Sequence, residues 1–196
     1  MVPSKSKTLR TFIAVEIDDR LRATAAKVAE ELRAARADVS WVAPHNMHLT
    51  LKFLGDVAED RIPRIGDALA EALAGAAPFE LELLGVGAFP NAARPRTIWL
   101  GTGSGKAQLD LLAERVEAAV TRLGFPPEDR PFHGHLTLGR VRRASPALAE
   151  LALMLKQRAD LSLGQSRIEE VVLFSSQLQR GGPIYEAIRR FRLGPA

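Results

Sequence analysis

Apolar and polar residues alternate along two short segments of this chain. In the first, Met47 to Leu54, apolar residues occupy every second position, with His48, Thr50 and Lys52 between them. The second, His133 to Val141, repeats the pattern. Because successive side chains of a β-strand point to opposite faces, the alternation predicts two half-buried strands, each with an apolar and a polar face.

The rest of the chain divides into helices and further strands. Apolar residues recur at helical spacing in four stretches, which run from Leu21 to Ala35, Ile62 to Leu73, Leu109 to Leu123 and Leu148 to Ala159. The other predicted strands are Leu9–Ile17, Val39–Val42, Phe79–Phe89, Thr97–Gly101, Ile168–Leu178 and Ile184–Leu193. Turn residues at Pro44-His45-Asn46 and Gly55-Asp56 bound the first alternating strand.

This order of elements forms two β-α-β-type halves and predicts the α+β class. No Ser/Gly-rich linker or low-complexity segment separates the halves. We therefore expect a single domain over residues 1–196, in which the two halves share one core.

Composition narrows the class of protein. The 196 residues are 46% hydrophobic and 26% charged, as in an ordinary globular chain. There is no cysteine, which excludes disulfides and thiolate nucleophiles and fits a reducing cytoplasm. No apolar segment follows Met1–Lys7, and no apolar run reaches the roughly 20 residues of a membrane span. We expect neither a signal peptide nor a membrane segment.

The charge balance is compatible with two kinds of surface. The net charge is +4, and 21 of the 27 basic residues are Arg. The guanidinium group presents a fixed fork of donors that suits phosphate, so a polyanionic partner is one interpretation. An Arg-rich solvated surface is the other.

The two alternating segments share a tetrapeptide. His48-Leu49-Thr50-Leu51 recurs as His135-Leu136-Thr137-Leu138 after 87 residues (135 − 48 = 87), in a chain with only four histidines. On a strand, the histidine and threonine of each copy share a face. If the two halves face each other, two imidazoles and two hydroxyls converge on one cleft.

These residue types suit acid–base chemistry on a phosphodiester. Histidine titrates near neutrality, so one imidazole can act as the base while its twin acts as the acid. A threonine hydroxyl can donate a hydrogen bond to a non-bridging phosphate oxygen. The motif pair therefore predicts catalysis without a metal ion or another cofactor.

Three residues outside the tetrapeptides are predicted to bind substrate. Arg130 lies at a loop end, five positions before His135, where it can contact a phosphate, the alternative being a surface ion pair. Phe132 and Tyr185 are aromatic and can stack on a base, as in the recognition of single-stranded RNA.

Alternation also makes predictions about neighbouring residues. It places Arg140 on the face opposite His135, and Phe53 among the core leucines. His133 shares a face with His135, but no third metal ligand is evident. The glycine-rich segment 101–106 lacks both the first glycine and the final Ser or Thr of a P-loop, so we expect a simple strand-to-helix turn there.

The residues around the two tetrapeptides resemble the 2H phosphoesterase superfamily. Within it, the chain is similar to the bacterial and archaeal RNA 2′,3′-cyclic phosphodiesterases, once called 2′-5′ RNA ligases. The matching segments are Arg10–Val15, Trp41–Pro44, Asn46–Gly55, Arg130–Arg140, Ser175–Leu178 and Gly182–Tyr185.

This resemblance implies a two-lobed, duplicated fold in which antiparallel sheets flank a central V-shaped cleft, with one motif in each lobe. It implies hydrolysis of a terminal 2′,3′-cyclic phosphate to a 2′-phosphate. By the same resemblance, His48 is the proton donor to the leaving 3′ oxygen and His135 is the proton acceptor that activates water. Thr50 and Thr137 hold the phosphoryl oxygens.

Two alternative functions use the same site. The first is 2′-5′ ligation of RNA, in which the two histidines exchange roles, and the second is a nucleotide-binding module without catalysis. The expected partners are RNA 3′ ends or small cyclic nucleotides. We expect a cytoplasmic monomer that requires no protein partner.

Overall fold

The computed structural model describes residues 7–179 and 182–194. The prediction about a signal peptide rests on Met1–Lys7, of which residues 1–6 lie outside this part. The strands are β1 Thr8–Val15, β2 Val39–Trp41, β3 Leu49–Ala58, β4 Phe79–Phe89, β5 Thr97–Thr102, β6 Leu136–Val141, β7 Ser162–Ile168, β8 Glu170–Gln179 and β9 Gly182–Arg192. The helices are α1 Asp19–Leu32, α2 Ile62–Leu73, α3 Lys106–Thr121 and α4 Ala147–Lys156, with short 3-10 helices at Arg33–Ala35, Pro44–Asn46 and Glu59–Arg61.

These strands belong to one antiparallel sheet, with the order β7-β4-β5-β6-β3-β1-β8-β9 and with β2 paired to β6. The two central strands, β3 and β6, are paired through Leu49 and Leu136. Lobe 1 (β3, β1, β8 and β9) and lobe 2 (β6, β5, β4 and β7) separate on either side of this pair. Each lobe carries one copy of the tetrapeptide.

The helices cover the face of the sheet that the motif leucines point to. Helix α1 contacts β6 and β7, α4 contacts β4, α2 contacts β9, and α3 contacts β3. Leu49, Leu51, Leu136 and Leu138 are all buried in the large apolar core on this side. The leucines thus fix which way the intervening histidines and threonines point. None of the helices in the described residues has the length and apolarity needed to cross a membrane.

The predicted class is confirmed, since helices pack on antiparallel strands divided into two lobes. The connectivity is more interleaved than two sequential halves, because lobe 1 takes β8 and β9 from the end of the chain and α1 packs on lobe 2. Strand β7 was not predicted; its sequence, Ser162-Leu163-Gly164-Gln165-Ser166-Arg167-Ile168, is mostly polar and lies at the edge of the sheet.

Two predicted boundaries were wrong. Gly55-Asp56 does not end β3, because Gly55 adopts a positive φ of 73° within the strand and pairing with β1 continues to Ala58. Strand β6 begins at Leu136 rather than His133. The reason is that β3 diverges from the segment that precedes Leu136. The predicted turn at Pro44–Asn46 is confirmed, and it takes the form of a short 3-10 helix.

Candidate active site

His48 is held by the backbone on one edge of its ring and by aromatic rings on its faces. Its Nδ1–H donates to the carbonyl oxygen of Asn46 at 2.8 Å. The ring stacks on Phe12, with centroids 4.8 Å apart, and meets Tyr185 edge-on at 5.3 Å. Because Nδ1 carries the proton, Nε2 is left as an acceptor, and the hydroxyl of Thr50 lies 3.1 Å from it.

His135 is held in the same way in lobe 2. Its Nδ1–H donates to the carbonyl oxygen of His133 at 2.7 Å, again two residues earlier in the chain. Phe89 meets the ring edge-on, with centroids 5.1 Å apart. Each motif therefore fixes the same tautomer and directs Nε2 away from its own backbone.

Burial lowers the pKa of both motif histidines. For His48, desolvation is the main cause, and the hydrogen bond to the Asn46 carbonyl opposes it. For His135, desolvation again lowers the pKa most, the His133 carbonyl raises it, and the positive field of Arg140 lowers it further. The lowered pKa favours the neutral form of each imidazole, which is the form that can accept a proton.

The two motifs face a single cavity of about 830 Å³ between the lobes. The side chains of His48, Thr50, His135 and Thr137 all line it. Two histidines that are 87 positions apart in the chain thus meet across one hollow, because Leu49 and Leu136, which follow them, are paired. Tyr185, from β9, lines the same cavity.

Bulges turn two unexpected side chains into this cavity. The pairing of β1 with β3 skips Leu51, so Lys52 points to the core side and Phe53 points into the cleft. The pairing of β5 with β6 skips Leu138 in the same way, and Arg140 then lines the cleft. The predictions that Phe53 is a core residue and that Arg140 faces away from His135 were therefore wrong.

The cleft is electropositive. Among the described residues, its lining includes Arg10, Arg140 and Arg142 and contains no Asp or Glu. Arg140 donates to the Thr97 hydroxyl and Arg142 to the Ser40 hydroxyl. Within residues 7–179 and 182–194, none of these three arginines forms an ion pair with a carboxylate. A cavity with several unpaired cations is suited to a ligand with negative charge.

The alternation along the first motif strand predicts that Lys52 lies on the polar face with His48. This prediction was also wrong. Its side chain is only 3% exposed. The ammonium group bonds to Glu117 of α3 at 2.9 Å, to Glu128 at 3.1 Å and to the Pro126 carbonyl at 2.8 Å. Lys52 thus ties the first motif strand to the segment that leads into the second motif.

The predicted substrate-binding residues divide into two groups. Tyr185 lies in the cleft beside His48. Arg130 is exposed outside the cavity lining, and Phe132 packs against the main core. His133 is exposed and lies against Phe89, outside the lining.

Several cleft residues were not predicted as site residues. Among them, Arg10, Phe12 and Ser176 line the cavity but lie outside the tetrapeptides. For Arg10 and Phe12 a signal did exist, because a polar residue two positions before an aromatic one marks one face of the first strand. The sequence alone does not show which face of β1 lines the cleft, because that depends on the strands that pair with β1.

A family of known sequences matches almost the whole chain. The profile described as LigT-like phosphoesterase matches residues 15–99 and again residues 100–185. Two consecutive matches to one profile agree with the duplicated tetrapeptide.

Individual relatives align with nearly the full length of this chain. A protein of Methanothermobacter thermautotrophicus named RNA 2′,3′-cyclic phosphodiesterase is 38% identical over 187 residues, which cover 94% of this chain and 99% of the relative. A protein of the same name from Archaeoglobus fulgidus is 37% identical over 183 residues, covering 93% and 99%.

Solved structures share the fold. A Thermus thermophilus protein superposes with a TM-score of 0.80 at 29% identity, covering 95% of this chain and 99% of the other. The crystal structure of E. coli LigT complexed with 3′-AMP gives a TM-score of 0.74 at 26% identity, covering 95% and 98%.

Proposed function

This chain belongs to the LigT-like phosphoesterase family, and we propose that it hydrolyses terminal 2′,3′-cyclic phosphates of RNA to 2′-phosphates. The observation that carries the proposal is the pair of motif histidines, each fixed by its Nδ1–H to a backbone carbonyl, on one cationic cavity. Relatives that are 37–38% identical bear the name of this activity. A structural neighbour binds 3′-AMP, which is a nucleotide with a phosphate on the ribose.

In the proposed reaction, a water molecule attacks the phosphorus of the cyclic phosphate. His135 accepts a proton from the water through Nε2, and a new phosphorus–oxygen bond forms. The bond between phosphorus and the 3′ oxygen breaks, and His48, protonated at Nε2, donates a proton to that oxygen. The products are a 2′-phosphate and a 3′-hydroxyl, and the two histidines have exchanged their protonation states.

The remaining cleft residues stabilise the charge that develops on the phosphoryl oxygens. Thr50 already points its hydroxyl at the His48 imidazole, so it can donate to a phosphoryl oxygen bound there. Thr137 occupies the matching position in lobe 2. Arg140, whose charge is felt by both histidines, adds a fixed cation close to the reacting phosphate.

A single chain supplies all the groups that this reaction needs. The imidazoles, hydroxyls and arginines come from one polypeptide. We therefore propose that RNA ends or small cyclic nucleotides are the only partners required, and that the protein acts as a cytoplasmic monomer.

The decisive experiment is product analysis. A short oligoribonucleotide ending in a 2′,3′-cyclic phosphate is incubated with the enzyme, and the product is identified by its sensitivity to enzymes that remove only 3′-phosphates. A 2′-phosphate is expected. A 3′-phosphate would show that the 2′ oxygen leaves instead.

The same assay separates the alternatives. A 5′-hydroxyl oligonucleotide added to the mixture tests ligation, whose product is a 2′-5′ joint. Because ligation requires that hydroxyl to compete with water, we expect hydrolysis to dominate. Tight binding of the cyclic end with no turnover would replace the proposal with a nucleotide-binding module.

A further inference from the structure

We propose that Asn46 is a positioning residue of the reaction: its side chain anchors the segment before the first motif to β9, and its carbonyl thereby selects one orientation of the His48 imidazole. The inference rests on the proposed function and deepens it, because it names a residue that acts through His48 rather than on the substrate. It starts from two hydrogen bonds that meet at Asn46.

The aromatic contacts of His48 are compatible with two orientations of its ring. Phe12 stacks on the ring, with an interplanar angle of 28°, and Tyr185 meets it edge-on. The χ2 torsion of histidine is broad and roughly two-fold, and a stacked contact is nearly unchanged when the ring turns by half a revolution. Such a turn would move Nδ1 away from the Asn46 carbonyl and Nε2 away from Thr50. A directional bond to Nδ1 therefore has to select the productive orientation.

The carbonyl that accepts this bond belongs to the last residue of the 3-10 helix Pro44–Asn46. The helix is a single turn. It is closed by the Asn46 N–H, which donates to the Ala43 carbonyl at 2.9 Å, and by the Met47 N–H, which donates to the Pro44 carbonyl at 3.0 Å. Hydrogen-bond geometry in 3-10 helices is poorer than in α-helices. The direction of the Asn46 carbonyl thus depends on how the rest of the chain holds this turn.

Contacts with distant parts of the chain hold the turn in place. Met47, which follows it, is 2% exposed and lies in the main core. The side-chain Nδ2 of Asn46 donates to the carbonyl of Pro183 at 2.9 Å, across 137 positions of sequence. Pro183 belongs to β9, the strand that also supplies Tyr185. One strand of lobe 1 therefore contacts the His48 ring directly and, through Asn46, fixes the carbonyl to which the ring donates.

Lobe 2 holds its histidine without a matching side chain. The carbonyl of His133 accepts from His135 Nδ1–H, as that of Asn46 does from His48. The side chain of His133, however, is exposed and lies against Phe89, with centroids 5.2 Å apart. The two tetrapeptides are identical, whereas the residues two positions before their histidines differ. We therefore expect Asn46 to act on His48 and not on His135.

A double-mutant cycle tests this expectation. Asn46→Leu keeps the approximate size of the side chain and removes the donor to Pro183. With an oligoribonucleotide ending in a 2′,3′-cyclic phosphate, kcat should fall about 3- to 10-fold, the effect of one neutral hydrogen bond. KM should stay the same, because other groups bind the phosphate. The substitution should cost nothing further in the His48→Gln background, whereas its effect and that of His135→Gln should multiply.

A spectroscopic measurement tests the orientation of the ring without any substrate. In the ¹⁵N-labelled protein, the His48 signals are identified by their loss in His48→Gln. Above the pH at which the ring titrates, the wild type should show a protonated Nδ1 and a bare Nε2. In Asn46→Leu the two nitrogen signals should move toward each other, because both tautomers become populated.

Asn91→Leu is the matched control. Asn91 lies in the turn between β4 and β5, outside the cavity lining, and its Oδ1 accepts from the Arg94 N–H at 3.0 Å. Its replacement should change neither kcat nor the His48 signals. Circular dichroism verifies that each variant is folded. Asn46→Ala, with a side chain too short to clash, takes the place of Asn46→Leu in both measurements if the latter does not fold.

The outcomes separate this inference from the proposed function. Unchanged kcat in Asn46→Leu, a loss of the same factor in the His48→Gln background, or wild-type His48 signals in Asn46→Leu would each overturn the positioning role and leave the proposed hydrolysis intact. Altered His48 signals in a protein that hydrolyses no cyclic end would support the orienting bond and overturn the proposed function.

Discussion

Leu49 and Leu136 pair β3 with β6, and each immediately follows a motif histidine. The pair joins the two lobes at the position where the imidazoles must meet. Beyond it the strands diverge, and the space between them becomes the cleft. The distance between the two histidines is therefore set by one backbone pairing and by the two leucine side chains that bury it.

Leu49→Ala should destabilise the fold and loosen this junction. Leu49 is completely buried, so we expect the free energy of unfolding to fall by about 2–5 kcal/mol. Urea denaturation measures the change. Leu111→Ala, on the half-exposed face of α3, is the control and should cost far less. Equal losses of unfolding free energy in Leu49→Ala and Leu111→Ala would contradict the structural role of the Leu49–Leu136 pair.

Much of the fold follows from local patterns, whereas the orientation of side chains beyond each motif does not. The four predicted helices and the motif leucines are periodic, and burial of their apolar faces decides where they lie. Phe53 and Arg140 break the period because a bulge reverses the face after Leu51 and after Leu138. A bulge depends on the neighbouring strand, so single-strand alternation cannot predict it.

His48→Gln and His135→Gln should each lower kcat strongly. General acid–base groups contribute about 10²- to 10⁴-fold, so each variant should lose activity in that range. The melting temperature should change little, because the amide can keep one hydrogen bond in each site. His45→Gln, in the exposed 3-10 helix, is the control and should be fully active. Substantial activity in a variant that lacks both motif histidines would end the proposed mechanism.

The pH dependence of kcat/KM should be bell-shaped, with its maximum below pH 6.5. The base must be neutral, so activity rises as pH passes its pKa; the acid must be protonated, so activity falls as pH passes its own. Burial lowers both pKa values from 6.5 in the free enzyme, and the maximum lies midway between them. Initial rates at low substrate between about pH 4 and 9 provide the measurement.

Arg140→Gln gives an internal check on this profile. The positive charge of Arg140 lowers the pKa of both His48 and His135. Its removal should shift the maximum to higher pH while lowering the rate. A wild-type maximum at alkaline pH would mean that groups other than His48 and His135 act as the general acid and base.

The hydroxyl of Thr50 should matter more than its methyl group. Thr50→Val keeps the shape but removes the donor that lies 3.1 Å from His48 Nε2. We expect kcat to fall about 10- to 100-fold, the effect of one hydrogen bond to a charged oxygen. Thr50→Ser restores the hydroxyl and should recover most of the rate. Equal activity of Thr50→Val and Thr50→Ser would show that the hydroxyl has no catalytic role.

The candidate site was predicted best where a motif was repeated, and outside the repeats Tyr185 alone of the three predicted substrate-binding residues lines the cleft. The tetrapeptide marks His48 and His135 because it occurs twice, and both line the cleft. Arg130 was chosen because it lies at a loop end near the second copy, and Phe132 because an aromatic ring can stack on a base, yet both lie outside the lining. Arg10 lies far from both copies in sequence and reaches the cleft through the pairing of β1 with β3 and β8.

Lys52→Met should reduce stability through the loss of a buried cation. The ammonium group holds Glu117, Glu128 and a backbone carbonyl, and its side chain is 3% exposed. Removing one partner of a fully buried pair costs about 3–5 kcal/mol. Because Glu117 and Glu128 are 30% and 58% exposed, water can solvate them, and we expect a loss of about 1–3 kcal/mol.

Lys106→Met is the matched control, since Lys106 pairs with Asp110 one helical turn away on the surface of α3. Exposed pairs of this kind contribute about 0.3–0.5 kcal/mol. The two variants are compared by urea denaturation and by kcat. Because Lys52 also joins the first motif strand to the segment before His133, its loss should lower kcat as well, whereas Lys106→Met should not. If the two substitutions cost the same stability, Lys52 is no more than a surface charge.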